Sequence, residues 1–272
     1  MPEGDTVWLV ARRMHDALAG HVLTAADLRV PRLATVDLTG REVTEVVSRG
    51  KHLLTRLGGR ATLHTHLRMD GAWHLYRHGT RWRGGPAWQV RVVLTTDAWQ
   101  SVGFRLPVVE LLPTTEEHRV VGHLGPDLLG DDWDADEAVR RLRADSDRPV
   151  GEALLDQRNL AGLGNLYRVE LCFLAGVTPW APVRDVPDLR RVVGDAHRLL
   201  RANRHVPEQV TTGDPGRGRR HHVFERTGRP CHRCGALVRR GMQQSPPRER
   251  VTYWCPGCQR GPSPPGTDAP SR

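Results

Sequence analysis

The sequence predicts an α+β protein: a leading helix and a β-rich domain, followed by a helical domain that ends in a metal-binding finger. Three observations lead there. Apolar residues recur at helical spacing in the first 19 residues and again beyond residue 114. Between these stretches lie short runs rich in Val, Leu and Thr, separated by Gly and Pro turn signals. Near the end, Cys231-x-x-Cys234 and Cys255-x-x-Cys258 form two knuckles with 20 residues between them.

The elements follow in order. Pro2 and Asp5 open a helical pattern in which Val7, Val10, Met14, Ala17 and Leu18 fall near a 3.6-residue period, and Gly20 is its stop signal. Strand-like runs follow at 43–47, 52–56, 61–66, 88–95 and 108–112, with turns at Gly58-Gly59, Gly84-Gly85-Pro86 and Pro107. Helical patterns return at 134–142, 150–155, 166–175 and 189–202. Between the second and third of these, Leu160-Ala161-Gly162-Leu163-Gly164-Asn165-Leu166 reads as a tight glycine turn entering a helix, where backbone N–H groups can receive an anion. Such turns also occur without any ligand. Residues 211–222 read as a flexible basic loop, and 261–272, rich in Gly, Pro and Ser, as a disordered tail. The expected domains are 1–115, 116–222, a finger over 223–260 and the tail 261–272.

Charge narrows the class of partner. The chain carries 40 Lys and Arg against 31 acids, a net charge of +9. From residue 201 onward stand 14 Arg and 5 acids, so the excess lies at the C-terminal end of a nearly neutral body. That is the footprint of a polyanion binder, nucleic acid foremost. No apolar run approaches the roughly 18 residues of a membrane-spanning helix, and the acidic, polar start lacks the layout of a signal peptide. A cytoplasmic protein is expected. Cysteines are kept reduced there, so the four knuckle residues Cys231, Cys234, Cys255 and Cys258 read as a structural Zn(Cys)₄ site rather than as two disulfides. Four thiolates leave no open position for catalytic water. Cys172, in an apolar run, reads as a core residue.

Lys51 is the one lysine among those 40 basic residues. An ammonium can give up its proton where a guanidinium cannot, which marks Lys51 for proton-transfer chemistry, with chance survival as the plain alternative. At the chain start, removal of Met1 would free the secondary amine of Pro2. The positive end of the following helix and burial both disfavour its protonated form. A neutral amine attacks a carbonyl-like carbon by the Schiff-base route, and Glu3 beside it could donate or accept protons. Pro and Glu are also ordinary helix-start residues.

Taken together, Pro2-Glu3-Gly4, Ser48-Arg49-Gly50-Lys51, Gly162-Leu163-Gly164-Asn165-Leu166-Tyr167 and Tyr253-Trp254-Cys255-Pro256-Gly257-Cys258-Gln259 resemble, in the same order, the motifs of formamidopyrimidine/endonuclease VIII DNA glycosylases. The opening Pro-Glu-Gly-Asp-Thr is most similar to the actinobacterial endonuclease VIII branch. The resemblance spans Pro2 to Gln259. It implies a helix packed on a β-sandwich, a helix–two-turn–helix domain with one structural zinc, and damaged DNA in the cleft between them. It further implies a monomeric base-excision enzyme of the bacterial nucleoid. By matched position, Pro2 attacks C1′ of the damaged nucleotide, Glu3 assists sugar opening, Lys51 supports elimination, Asn165 contacts phosphate, and Arg250 grips phosphate and assists the second elimination. His66-Leu67-Arg68-Met69-Asp70-Gly71 falls where the family keeps its void-filling loop, which makes Met69 the wedge and Arg68 a DNA contact.

Two departures bear on the lesion. Val102-Gly103-Phe104-Arg105-Leu106 stands where the oxidised-purine branch carries Arg-x-Phe-Gly, and Thr6 stands where many relatives have Glu. With the Pro2-Glu3-Gly4 opening, the missing Arg-x-Phe-Gly makes oxidised pyrimidines the expected substrates, with oxidised purines, or a non-catalytic protein that binds abasic DNA, as the alternatives. The finger tip over 243–248 is expected to be irregular, because the knuckle spacing exceeds the family's usual one.

Overall fold

The computed structural model of the chain describes residues 2–244 and 249–264. It divides into two compact units, one ending at His123 and one beginning at Leu124. No helix among the described residues is long and apolar enough to cross a membrane.

In the first unit, α1 (Gly4–Leu18) buries Val7, Ala11, Met14 and Leu18 on one face. Their spacing of four, three and four residues is that of a single helical stripe. Two antiparallel sheets complete the unit. One has the order β1 (His21–Val22), β3 (Glu42–Arg49), β4 (His52–Leu57), β5 (Ala61–His66), β9 (Val108–Pro113); the other runs β2 (Ala25–Leu28), β7 (Val90–Thr95), β8 (Trp99–Phe104), β6 (Ala72–Arg77). One core joins the α1 stripe to Val43, Val46, Leu53, Leu57 and Leu63 of the first sheet and to Leu28, Trp73, Val92 and Leu94 of the second. Side chains alternate faces along a strand. Leu53 and Leu57 therefore point into this core while His52 and Arg56 take the opposite face of β4, and β5 likewise separates Leu63 from Thr62, His64 and His66.

Two tight connections fix what the sheet presents. Arg49 pairs with His52, so Gly50 and Lys51 alone make the turn between β3 and β4. Gly50 has φ of 56°, a left-handed value that glycine takes without strain. After β5, the Gly71 N–H donates to the Leu67 carbonyl at 2.9 Å. A Cβ on Gly71 would lie 2.6 Å from that oxygen, so only glycine closes this loop.

Residues 116–123, expected with the helical domain, belong to the first unit. The Glu117 carboxylate accepts from Nε and Nη2 along one edge of the Arg56 guanidinium (2.9 and 2.8 Å) and from the Thr62 hydroxyl (2.7 Å). These bonds tie the short helix α2 (His118–Val121) to the sheet.

The second unit holds α3 (Ala135–Arg143), α4 (Val150–Leu155), α5 (Asn165–Ala175) and α6 (Leu189–Asn203). Asp134 caps α3 by accepting from the N–H groups of Asp136 and Glu137, and Asp188 caps α6 through Arg191 N–H. Every residue from Asn165 to Phe173 is buried, as expected of a central helix rather than an amphipathic one. Gly176, at φ 71°, ends α5 in the left-handed conformation that suits glycine. The finger is an antiparallel hairpin of β10 (Arg239–Gln243) and β11 (Arg250–Trp254). It belongs to the same compact unit as the helices rather than standing alone.

Two loop expectations are corrected. The stretch 211–222 is tethered, not free. Glu170, fully buried on α5, accepts from the Thr211 hydroxyl and from the N–H groups of His222, Val223 and Phe224. A buried carboxylate needs such donors, and the loop supplies them. The start of the expected tail is also bound: the Thr178 hydroxyl donates to the Pro262 carbonyl, next to a Thr178 N–H bond to Arg260 just before the tail. The remainder of that tail, 265–272, and the finger-tip residues 245–248 lie outside the described residues.

Candidate active site and metal centre

In the first unit, Pro2 is half-buried immediately before α1, and Glu3 is the helix N-cap residue. The Glu3 carbonyl accepts the first helical bond, from Val7 N–H at 3.0 Å. Its side chain is completely buried, as is that of Asp5 at 2% exposure. Two buried acids at the positive end of a helix dipole are electrostatically matched to their place. Lys51 sits half-buried in the two-residue turn between β3 and β4. Glycine makes that sharp reversal possible, and the strand register fixes where the lysine falls.

Behind Lys51 lies a group that motif reading missed. His52, His64, His66 and His123 gather on one side of the sheet, with ring centroids 4.9 to 6.0 Å from that of His52. Burial, then the positive neighbours His66, His64, His123 and Lys51, push His52 down to about 3. Burial, Lys51, Arg68 and His64 push His66 down to about 4. Both rings are therefore neutral at physiological pH. The available signal was strand alternation, because His64 and His66 share a face of β5 and His52 pairs with His66 across the ladder.

The loop after β5 carries Arg68 and Met69, both exposed, Met69 to 57%. Arg68 has φ of 46°. The loop is braced from β8's end: Arg105 Nε donates to the Asp70 carbonyl at 3.0 Å, and its other arm reaches the Gln89 side chain. Arg105 stands in the segment that departs from Arg-x-Phe-Gly, and Phe104 beside it is fully buried. Sequence reading marked this stretch as a difference without seeing its bracing role.

The second unit carries the remaining candidates. Asn165 is the first residue of α5, after a turn in which Gln157 binds the carbonyls of Leu155 and Leu163 and the N–H of Gly162. Asn165 is 7% exposed. Its amide donates to the Val251 carbonyl at 3.0 Å, and its oxygen accepts from Arg168 at 2.6 Å. Arg168, fully buried, also donates to Gln243 at 2.7 Å and to Thr252. Arg250 is exposed at the start of β11, opposite Gln243.

Among the described residues, one group could hold a metal ion: the sulfurs of Cys231, Cys234, Cys255 and Cys258 all lie within 4.8 Å of one another. Cys231 and Cys258 are 3.8 Å apart, Cys234 and Cys255 3.4 Å. A tetrahedral zinc with bonds of about 2.3 Å sets its sulfurs about 3.8 Å apart, so the donor set and its spacing fit. Cys172 is buried and apart from this group.

A helix-led β-sandwich, a helical unit with a glycine turn before a buried helix, and a four-cysteine finger define a DNA glycosylase of the formamidopyrimidine/endonuclease VIII type, and the chain belongs to that family. Residues 1–105 match the formamidopyrimidine-DNA glycosylase N-terminal domain, and 124–205 match its H2TH domain. The chain is 61% identical to a probable endonuclease 8 2 of Streptomyces coelicolor, over 97% of this chain and 96% of that one. It is 48% identical to the DNA-(apurinic or apyrimidinic site) lyase Nei2 of Mycolicibacterium smegmatis, over 95% and 99% respectively. Its fold matches that of Lactococcus lactis formamidopyrimidine-DNA glycosylase bound to DNA with an abasic site, with TM-score 0.78 at 23% identity, over 95% of this chain and all of that one. By family, the chain is a DNA glycosylase with abasic-site lyase activity, an enzyme of base excision repair.

Proposed function

We propose that this enzyme excises oxidised pyrimidines and cuts the strand at the resulting abasic site, with the Pro2 amine as nucleophile once Met1 is removed. The observation that carries this reading is the fully buried Glu3, at the N-cap position of α1 directly beside Pro2. A buried acid next to a helix-terminal amine pairs a proton donor with a nucleophile, as covalent catalysis at a sugar carbon requires.

The damaged nucleotide leaves the stack, and Met69 fills the gap it vacates. Pro2 nitrogen attacks C1′ and the bond to the base breaks. Glu3 gives a proton to the ring oxygen as the sugar opens, leaving an iminium between Pro2 and C1′. That positive charge acidifies C2′. Loss of a C2′ proton, supported by Lys51, breaks the 3′ carbon–oxygen bond and releases a phosphate end. A second elimination, assisted by Arg250, breaks the 5′ bond, and water then hydrolyses the iminium and restores Pro2. Asn165, Arg68 and Arg250 contact the DNA backbone. The cysteine group holds one zinc ion, whose place is structural. The enzyme works as a monomer on the bacterial nucleoid.

The preference for pyrimidines rests on the missing Arg-x-Phe-Gly stretch, where Arg105 instead braces the Met69 loop. A competition between duplexes carrying thymine glycol and an oxidised purine tests it; faster excision of the purine overturns it. Borohydride trapping on an abasic duplex, followed by mass spectrometry of the adduct, tests the nucleophile. An adduct on the peptide beginning at Pro2 is expected. An adduct at Lys51 would reassign the amine, and tight abasic-DNA binding without any adduct would make the chain a binding protein.

A further inference from the structure

The loop between β6 and β7 carries two tryptophans in opposite environments. The Trp82 ring packs against the small outer core of Val90, Val93, Val102 and Phe104, and its indole N–H donates to the Gln100 side chain at 3.2 Å. Trp88 stands out from the surface, 74% exposed. Of the chain's eight tryptophans it alone is exposed. An indole is among the largest apolar surfaces a side chain offers, so leaving it in water forgoes the burial that the other seven obtain.

The backbone beneath Trp88 is nonetheless fixed. Ala87–Gln89 form a 3₁₀ turn, closed by the Gln89 N–H donating to the Pro86 carbonyl at 3.0 Å. Three arginines hold its three carbonyl groups. Arg29 donates to that of Ala87 at 3.3 Å, Arg91 to that of Trp88 at 2.9 Å, and the Arg105 N–H to that of Gln89 at 2.8 Å. A bare side chain on a rigid support is pre-organised for contact, because little backbone ordering is left to be done on binding.

Continuity and charge together identify the partner. The Arg105 guanidinium donates to the Gln89 side chain through Nη1 and to the Asp70 carbonyl through Nε. Trp88 and Met69 therefore each adjoin a residue bound to the same guanidinium. The stretch from His66 to Arg105 holds six Arg against two acids, Asp70 and Asp97. An exposed indole set among guanidinium groups suits a partner with both phosphates and flat π faces, a nucleic acid. A fully paired duplex stacks its base faces on one another. Where a nucleotide has left the stack, faces lie open.

We propose that Trp88 is a base-stacking contact selective for the disrupted duplex at a lesion, held beside Met69 by their shared Arg105 brace. Met69 fills the void, and Trp88 packs on a base face that the void leaves open. Trp88 is thus a specificity-determining residue: it adds affinity where the stack is broken, whereas the surrounding arginines add it on any duplex. This inference rests on the reading of the Met69 loop as a DNA contact.

The test uses the full-length, zinc-loaded enzyme and two duplexes of one sequence, one intact and one with a tetrahydrofuran abasic analogue, which binds without forming an imine. Wild type, Trp88→Ala, Trp88→Phe and Met69→Ala are compared. Trp88→Ala is expected to weaken binding to the abasic duplex by roughly tenfold, the scale of one aromatic stack. Its affinity for the intact duplex and its thermal melt should match wild type. The slope of log affinity against log salt should also hold, because an indole neutralises no phosphate. Trp88→Phe keeps an aromatic face and should recover most of the loss. Unchanged abasic affinity in Trp88→Ala, with Met69→Ala weakened, would overturn the role of Trp88 alone. Unchanged affinity in both variants would remove the Met69 loop from the DNA, and this proposal with it. Equal losses on both duplexes would make Trp88 a general contact and overturn its selectivity. A changed oligomeric state with both affinities intact would make the indole a contact between copies of the chain.

Discussion

Arg168 donates to the side-chain carbonyl of Gln243 at 2.7 Å, so one buried guanidinium joins α5 to the finger hairpin. The same group binds Asn165 and Thr252, and Gln243 in turn donates to the Pro179 carbonyl at 2.8 Å. The position of Asn165 is therefore set from the finger side as much as by the turn before it.

Arg168→Ala leaves the acceptors on Gln243, Asn165 and Thr252 buried without their donor. A loss of roughly 3 kcal/mol in unfolding free energy is expected, as for breaking a buried charged network. Denaturant titration measures it. Affinity for abasic DNA should fall too, although Arg168 itself is fully buried.

The finger depends on its metal. Cys258→Ser, or chelation of the wild-type protein, is expected to release one zinc per chain and to expose the hairpin to protease, because a short two-stranded hairpin holds no core of its own. Metal analysis with limited proteolysis checks this. An undisturbed hairpin after metal loss would mean that Arg168 and Gln243 suffice.

Glu117 gives the first unit a pH signature. Burial raises its carboxyl, but hydrogen bonds from Arg56 and Thr62 outweigh burial and hold it below the usual glutamate value. A depressed carboxyl contributes stability above the ordinary carboxylate range, and that contribution is lost as pH falls through the folded-state value. Glu117→Gln should therefore be less stable than wild type at pH 7 by about 1 kcal/mol, discounted for the partly exposed Arg56. The gap should close as pH falls below the ordinary glutamate value. Thermal melts of both proteins across that range decide it.

Met69→Ala should slow excision of a lesion from duplex DNA by about tenfold, a loss of about 1.4 kcal/mol and so part of the unstacking cost that a wedge offsets. Cleavage of a single-stranded abasic oligonucleotide, where no void opens, should hardly change. Equal losses on both substrates would assign Met69 some role other than a wedge.

Glu3→Gln separates two steps. Base removal from an intact lesion should nearly vanish, because a buried amide cannot protonate the opening sugar, whereas trapping on a preformed abasic site should survive. Product analysis on the two duplexes reads both.

Much of this was legible in the chain. The α1 stripe and the knuckles are local patterns, and periodicity or spacing reveals them. β6 was missed because Ala-Trp-His-Leu-Tyr-Arg mixes aromatic and polar residues on a half-buried edge strand, where alternation is blurred. β1, at two residues, is too short to carry a pattern. The 211–222 loop looked free because its anchor, Glu170, lies about 40 residues earlier, inside an apolar helix. Glu110 and His64 are likewise 46 residues apart and meet only through strand register. Local chemistry can be read from spacing; long-range pairing cannot.

The turn of Gly50 and Lys51 also limits how this enzyme can change over evolution. A single inserted residue there would advance β4 by one position against β3, and because side chains alternate, every residue of β4 would change faces. His52 and Arg56 would enter the apolar core as Leu53 and Leu57 left it. Most surface loops drift in length at little cost, but this one is held at two residues by the packing of the entire sheet. Indels should be absent from it even in distant descendants.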